Sequence, residues 1–575
     1  MANFCHLSPS AMTNRWAAVV FAISMAVFGC FFIYPLFATV RGGFLNGDGS
    51  LTGVYFVEAF INPIYLQSLR NSLAIAFLTT ISALALALPL AFFSCRYEFP
   101  LKKALTAMVL VPMILPPFVG AIGITKIFGL HGILNALLIK LGLLDVTSAI
   151  DWLGKYKFGS IIFFEALNLY PILFLNISAA LANVDPSMEE AAASLGCTGV
   201  RRFFQITLPL TKSGVFAGLT IVFIWSFTEL GTPLVFNYDR VLPAQIFGML
   251  KELGNNPFPY ALASVVLFLS TAFYLLGKKV LGRENAPMLA KASHASVFHT
   301  VGVGRKIFCS TFFSLVVALS VLPHAVVIVL SLSKNWFGSI LPASWTLNNF
   351  SAALGHPLAV SSIRNSLIYA GMATAGAIVL GTLLALVIAR SKFPGRGLLD
   401  ALSMLPLAVP GIIIAFGYLV ISQRGRPFAR LNPIENPTLL LAIAYGIRKL
   451  PFMVRAAVAG LQQSSVTYEE AAASLGSKPF NTYCKITVPL IFGNLIAGAI
   501  LVFSQIMLEV SDSLIIAQKQ QFYPITKAIY ELLNLLGDGP YLACAMGVWC
   551  MLFLAITIFG ASALMGKKMG AIFRA

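Results

Sequence analysis

Charged side chains are scarce in this chain. Only 10% of its 575 residues are Asp, Glu, Lys or Arg, against 58% that are hydrophobic. An ionisable group inside a long apolar stretch is expensive unless it has a partner or a task. Glu229 and Glu509 lie in two such stretches, with Asp512 one turn beyond Glu509. Carboxylates there would line a pathway for a cation, or else pair with a neighbouring helix or anchor near the interface. Arg448, Lys449 and Arg455 share another stretch, where they would guide an anion or snorkel to the surface. Glu165 and Lys126 stand apart and require structural partners, while His324, beside Pro323, suits packing better than metal binding. The eight cysteines are scattered without C-x-x-C spacing and read as packing residues. No catalytic residue and no metal ligand is assigned.

A second signal is a repeated word. Glu189–Gly196 reads EEAAASLG and recurs verbatim at Glu469–Gly476, followed by Ile206-Thr207-Leu208-Pro209 and Ile486-Thr487-Val488-Pro489. Glu229 and Glu509 stand at the same spacing from each other as the two words. Ser187-x-x-Glu190 and Thr467-x-x-Glu470 have the form of capping boxes, so a helix is expected to start at each; Asp185-Pro186 offers a start one turn earlier. Gly196 and Gly476 suit the left-handed residue that ends such a helix. Each word is then a short helix–turn–helix. Two identical copies are hard to explain as well-capped surface helices alone.

The elements that carry these residues are apolar and long. A mean hydropathy of +0.86 excludes a water-soluble enzyme and a charge-rich disordered chain. Long runs, and not short alternating ones, exclude an outer-membrane barrel. About twelve transmembrane helices are expected, near 16–40, 71–95, 105–130, 158–183, 213–236, 259–277, 307–332, 366–389, 400–423, 437–461, 491–515 and 541–565. The first is too long for a signal-peptide core and is read as retained.

The chain is a repeat. Asn71-Ser72, Arg96…Pro100 and Pro112…Pro116 recur at one constant offset as Asn365-Ser366, Arg390…Pro394 and Pro406…Pro410. The offset is shorter for the later words, which leaves about fourteen extra residues in the first half, around 131–157. Two parallel six-helix repeats follow: residues 1–277, a polar basic linker 278–306, and 307–575. The linker must be cytoplasmic for the halves to match. Lys and Arg then lie in excess inside, which places both termini in the cytoplasm, although Arg424, Arg426 and Arg430 fall outside. The net charge of +18 reflects basic loops on one side of the membrane and not a nucleic-acid partner. Pro112, Pro116, Pro117, Pro406 and Pro410 break corresponding spans, which marks a pathway or simple packing kinks.

The pattern E-A-A-x-x-x-G-x9-I-x-L-P resembles the EAA motif of the inner-membrane permeases of binding-protein-dependent ABC importers of type I fold. The first copy matches fully and the second has Val488 in place of Leu. The resemblance implies an all-α polytopic membrane protein with both membrane domains fused, in a bacterial inner membrane. It also implies that Glu189, Glu190, Ala191 and Gly196, with Glu469, Glu470, Ala471 and Gly476, dock two copies of a cytoplasmic ATPase. A periplasmic or extracellular substrate-binding protein would dock on the other side. The chain lacks G-x-x-x-x-G-K-[ST], so it is not expected to be an enzyme or to hold a cofactor; ATP belongs to the partner subunit. Glu229, Glu509, Asp512, Arg448 and Lys449 are the expected pathway residues. Fused permeases resemble the ferric-iron type above all, and also 2-aminoethylphosphonate, thiamine and polyamine types. The acids suit a hard cation, whereas Arg448 and Lys449 suit an anion. A secondary transporter of twelve spans is the alternative of another class, against which the EAA loops count.

Overall fold

The computed structural model describes residues 14–114, 116–182, 184–250, 256–281 and 302–565. Most of the expected linker, residues 282–301, lies outside them, as do both chain ends. Among the described residues the chain is almost wholly helical. Its one strand pair, Ser333–Asn335 with Ser344–Trp345, is antiparallel. Helices dominate because a lipid-embedded backbone must satisfy its own hydrogen bonds.

Twelve helices or helix pairs correspond to the expected spans. The first six are α1 (Arg15–Gly43), α2 (Pro63–Arg96), α3 (Pro117–Phe128), α4 (Trp152–Ala182), α5 (Lys212–Phe227) and α6 (Phe258–Leu281). The second six are α7 (Val303–Ser331), α8 (Pro357–Arg390), α9 (Arg396–Ala408 with Gly411–Ile421), α10 (Thr438–Gln463), α11 (Val488–Met507) and α12 (Gly539–Met565). Among the described residues, ten helices qualify as membrane-crossing by length and composition, or eleven with α9. The remaining one, α10, is 26 residues long but holds Arg448, Lys449 and Arg455.

The paired prolines do more than kink. α9 bends by 100° between its two pieces. Val409 is driven into extended backbone before Pro410, which then caps the second piece without an N–H to offer. In the first half the expected span 105–130 is not one helix. Lys102–Met108 and a 3₁₀ turn at Val111–Ile114 precede α3, whose first residue is Pro117. The helical stretch long and apolar enough to cross runs instead over Pro117–Lys140. The extra residues after it are ordered by Asn135, whose amide donates to the carbonyls of Leu130 and Ile150 and whose oxygen accepts from Trp152 Nε1.

The chain divides into two compact units, one built from residues 43–360 and 527–552, the other from the residues up to Gly42, 361–526 and those from Phe553 onward. Their composition crosses the sequence repeat. α7 packs on α3 in the first unit, and α1 packs with α9 in the second. The contact has one design in both places. Gly123 lies so close to Pro323 of α7 that a Cβ would strike its backbone carbonyl. Gly417, its counterpart in the second repeat, meets Pro35 of α1 in the same way. Small residues at such crossings let helix backbones approach where lipid offers no hydrophobic drive.

Candidate functional site

The repeated word forms two exposed loop helices, Pro186–Ser194 and Thr467–Ser474. Their caps differ from the expected boxes. In the first loop the helix takes the earlier start, and Asp185, not Ser187, accepts from the Ser187 N–H at 2.9 Å. In the second loop Ser465, the repeat counterpart of Asp185, accepts from the Thr467 N–H through its hydroxyl at 3.3 Å. Asp185 has the extended backbone of a cap, whereas Val466, before the second helix, is in the right-handed helical region, and that helix starts at Thr467. The C-terminal ends follow expectation: Gly196 and Gly476 have φ of +81° and +79°. Cys197 N–H bonds back to Ala192 O at 2.9 Å, and Ser477 N–H to Ala472 O at 3.0 Å. This is a left-handed Schellman closure in both copies.

What fixes each loop helix is a buried ion pair. Arg96, the last residue of α2, donates to Glu189 Oε1 at 2.9 Å, and the Thr207 hydroxyl donates to the same oxygen at 2.8 Å. In the second repeat Arg390, ending α8, meets Glu469 Oε1 at 3.1 Å, and Thr487 donates to it at 3.1 Å. Arg390 also donates to the carbonyls of Leu461 and Ser464, at 2.7 and 2.8 Å, which closes the end of α10. Thr207 and Thr487 sit in matching π-helical turns, Phe203–Thr207 and Tyr483–Thr487. A π turn widens the helix by one residue and is often retained where a side chain must be aimed.

The two glutamates of each word therefore divide. Glu189 and Glu469 are 5% and 2% exposed and face their arginines. Glu190, Ala191 and Gly196 face outward, as do Ala471 and Gly476, with Glu470 half-buried. Leu195 and Leu475, one residue before each glycine, are 88% and 89% exposed. Val200 and Phe204 extend the apolar surface of the first loop, and Tyr468 and Phe480 that of the second. The arginines, threonines and leucines were visible as repeated letters. Nothing in the sequence paired Arg96 with a residue 93 positions away.

Four of the expected pathway residues come together in the second repeat. Arg448 pairs with Glu509 and lies 3.4 Å from Asp512 Oδ2, and Lys449 Nζ lies 2.9 Å from Glu509 Oε2. Two acids thus face two bases, deep in the helix packing. The guanidinium of Arg448 occupies the space that a Cβ on Gly411 would need. Glu509, on the loop after α11, is thus paired with two bases of α10.

The first repeat is arranged differently. Glu229 Oε1 accepts from the N–H groups of Gly231 and Thr232, at 3.0 and 3.3 Å. Glu165 is buried and accepts from Ser226. Lys126 and Glu165 do not pair. Lys126 donates to the carbonyl of Trp336 and lies 4.9 Å over its ring, beside a cavity of about 480 Å³ that Phe337, Tyr530 and Asn534 also line. Arg455 reaches Asp400 at 3.7 Å near the surface, and His324 is buried. Among the described residues no three His, Cys, Asp or Glu side chains are grouped so as to hold a metal ion.

Proteins similar to this chain are named as ferric transport system permeases. One from Haemophilus influenzae is 28% identical over 84% of this chain and 75% of its own length. One from Actinobacillus pleuropneumoniae is 26% identical over 92% and 75%. A second from Haemophilus influenzae, an Fe(3+)-transport system permease, is 24% identical over 88% and 91%. The family described as binding-protein-dependent transport system inner membrane component matches twice, over residues 83–285 and 377–563. With the helices and the duplicated loops, this double match covers most of the chain, which belongs to that family as a multi-pass inner-membrane permease component carrying its domain twice.

Proposed function

We propose that this permease imports ferric iron by alternating access, driven by ATP hydrolysis on two copies of a cytoplasmic ATPase subunit. Glu190, Ala191, Leu195 and Gly196, with Glu470, Ala471, Leu475 and Gly476, dock one ATPase subunit on each loop helix. Glu189 and Glu469 hold those helices to α2 and α8. A loaded substrate-binding protein docks on the opposite face, and both chain ends and the segment 278–306 lie on the ATPase side, joining permease units 1–277 and 307–575. The observation that carries this reading is the duplication in space of one exposed loop helix, each locked to the end of a membrane helix by a buried Arg–Glu–Thr set. A rigid joint of that kind passes a push on the loop into the helix behind it. The iron assignment is supported by the names of the similar full-length permeases.

The experiment is uptake of radiolabelled ferric iron by cells expressing the chain with its ATPase and binding protein, beside a Glu190→Ala/Glu470→Ala double variant. Uptake by the parent and its loss in the variant, with the chain still in the membrane, is the expected result. An ATPase that co-purifies without iron uptake would move the substrate to a phosphonate, thiamine or a polyamine. Absence of both would favour a secondary transporter.

A further inference from the structure

We infer that the cavity beside Lys126 binds a small organic carboxylate with a flat, apolar body. The site goes beyond the import reading and is independent of which cargo crosses.

The cavity, of about 480 Å³, lies wholly within the compact unit that holds residues 43–360 and 527–552. That volume is in the range of small-molecule sites. It sits where α3 and α7 end and α12 begins. Asn135 ties Leu130, next to His131 of the cavity, to Trp152 at the start of α4. α4 then runs to the loop helix Pro186–Ser194, so the cavity is at the other end of that helix from the loop.

Its charge is positive. Among the described residues, Lys126 lines it and no Asp or Glu does. Asp538, beside Gly537, is exposed and stands outside the lining. Lys126 is half-buried; it donates to the Trp336 carbonyl and lies 4.9 Å over that ring. An ammonium has three N–H donors, and among the described residues no carboxylate pairs with this one. Lys157 of α4 donates to the carbonyl of Asn237, a lining residue, at 3.1 Å, so a second positive charge adjoins the cavity. The offset that pairs Gly123 with Gly417 pairs Lys126 with Val420, which is 1% exposed. Packing at the end of this helix therefore does not require a cation. Removing a cation from water without an acid beside it is costly, and a bound anion offsets that cost.

The rest of the lining is largely aromatic. Trp336, Phe337, Tyr530 and Tyr541 all face the cavity. His131 packs on Phe337 with ring centroids 4.4 Å apart. The Tyr541 hydroxyl accepts from the Trp336 N–H at 2.9 Å and so holds the tryptophan that Lys126 contacts. A ring placed among such side chains gains offset or edge-to-face contacts. A simple inorganic anion would leave the aromatic surfaces unused. The carboxylate side chain of a docked protein would leave most of the volume empty. An aryl carboxylate uses both the ammonium and the aromatic surfaces.

The probe is para-fluorobenzoate, followed by fluorine NMR with the full chain and its ATPase in lipid nanodiscs. The parent is expected to show saturable line broadening that unlabelled benzoate reverses. The amide of the same shape, para-fluorobenzamide, carries no charge and should bind at least about 10-fold more weakly. Lys126→Met should weaken benzoate binding by about 10-fold or more and leave the amide unchanged. Lys103→Met, at an exposed lysine, should change neither. The comparison of acid with amide needs the parent alone, so the test stands if Lys126→Met does not assemble. Absence of saturable broadening in the parent, equal affinity for acid and amide, or parental benzoate affinity in Lys126→Met overturns the site.

Discussion

The Arg96 guanidinium lies 2.9 Å from Glu189 Oε1, with both side chains more than nine-tenths buried. Removing one partner of such a pair strands the other charge, at about 3–5 kcal/mol. Arg96→Gln should therefore lower the thermal transition of the detergent-purified chain, whereas Glu190→Gln, on the outward side of the same helix, should not. Arg390→Gln should be worse than Arg96→Gln, because the carbonyls of Leu461 and of Ser464, just past the end of α10, lose their donor as well. Equal transitions for all three variants would show that the pairs do not hold the loops.

Leu195 and Leu475 present nearly their whole side chains to solvent. Leu195→Asp with Leu475→Asp should change stability by no more than about 0.5 kcal/mol, the usual range for surface sites. The same variant should lose the ATPase on affinity purification. Retention of the ATPase at parental stoichiometry would place its docking surface elsewhere.

Gly411 gives its side-chain space to Arg448. Gly411→Ala should displace the guanidinium from Glu509 and Asp512 and destabilise by about 1–3 kcal/mol, as overpacking does. Arg448→Ala should destabilise in its own right by leaving two acids to Lys449. The double variant should cost less than the sum of the two, since the added methyl then fills vacated space. Additive losses in a double-mutant cycle would separate the two residues.

Gly123 and Gly417 sit where α3 meets α7 and where α9 meets α1. Valine at either position should cost about 1–3 kcal/mol. Gly29→Ala is the control, since nothing lies within 4 Å of a Cβ there. Thermal unfolding of the three variants checks this, and an unaltered Gly123→Val transition would contradict the crossing.

The class of the molecule is legible in the residues alone, because apolar runs of membrane length leave the backbone no choice but helix. So is the duplication, since identical letters at constant offsets need no geometry to be seen. The glycine ends of both loop helices were legible too, being a local conformational demand. The start of the first loop helix was left open, because Asp185 and Ser187 are both good caps and the path of the preceding backbone chose between them. Tertiary structure alone decided the partners. Arg96 finds Glu189, and Arg448 finds Glu509, across separations that no local rule spans. The exchange of α1 and α7 between units was equally invisible. It depends on Gly123 and Gly417 meeting prolines of helices remote in the chain, and close approach is a property of surfaces in space.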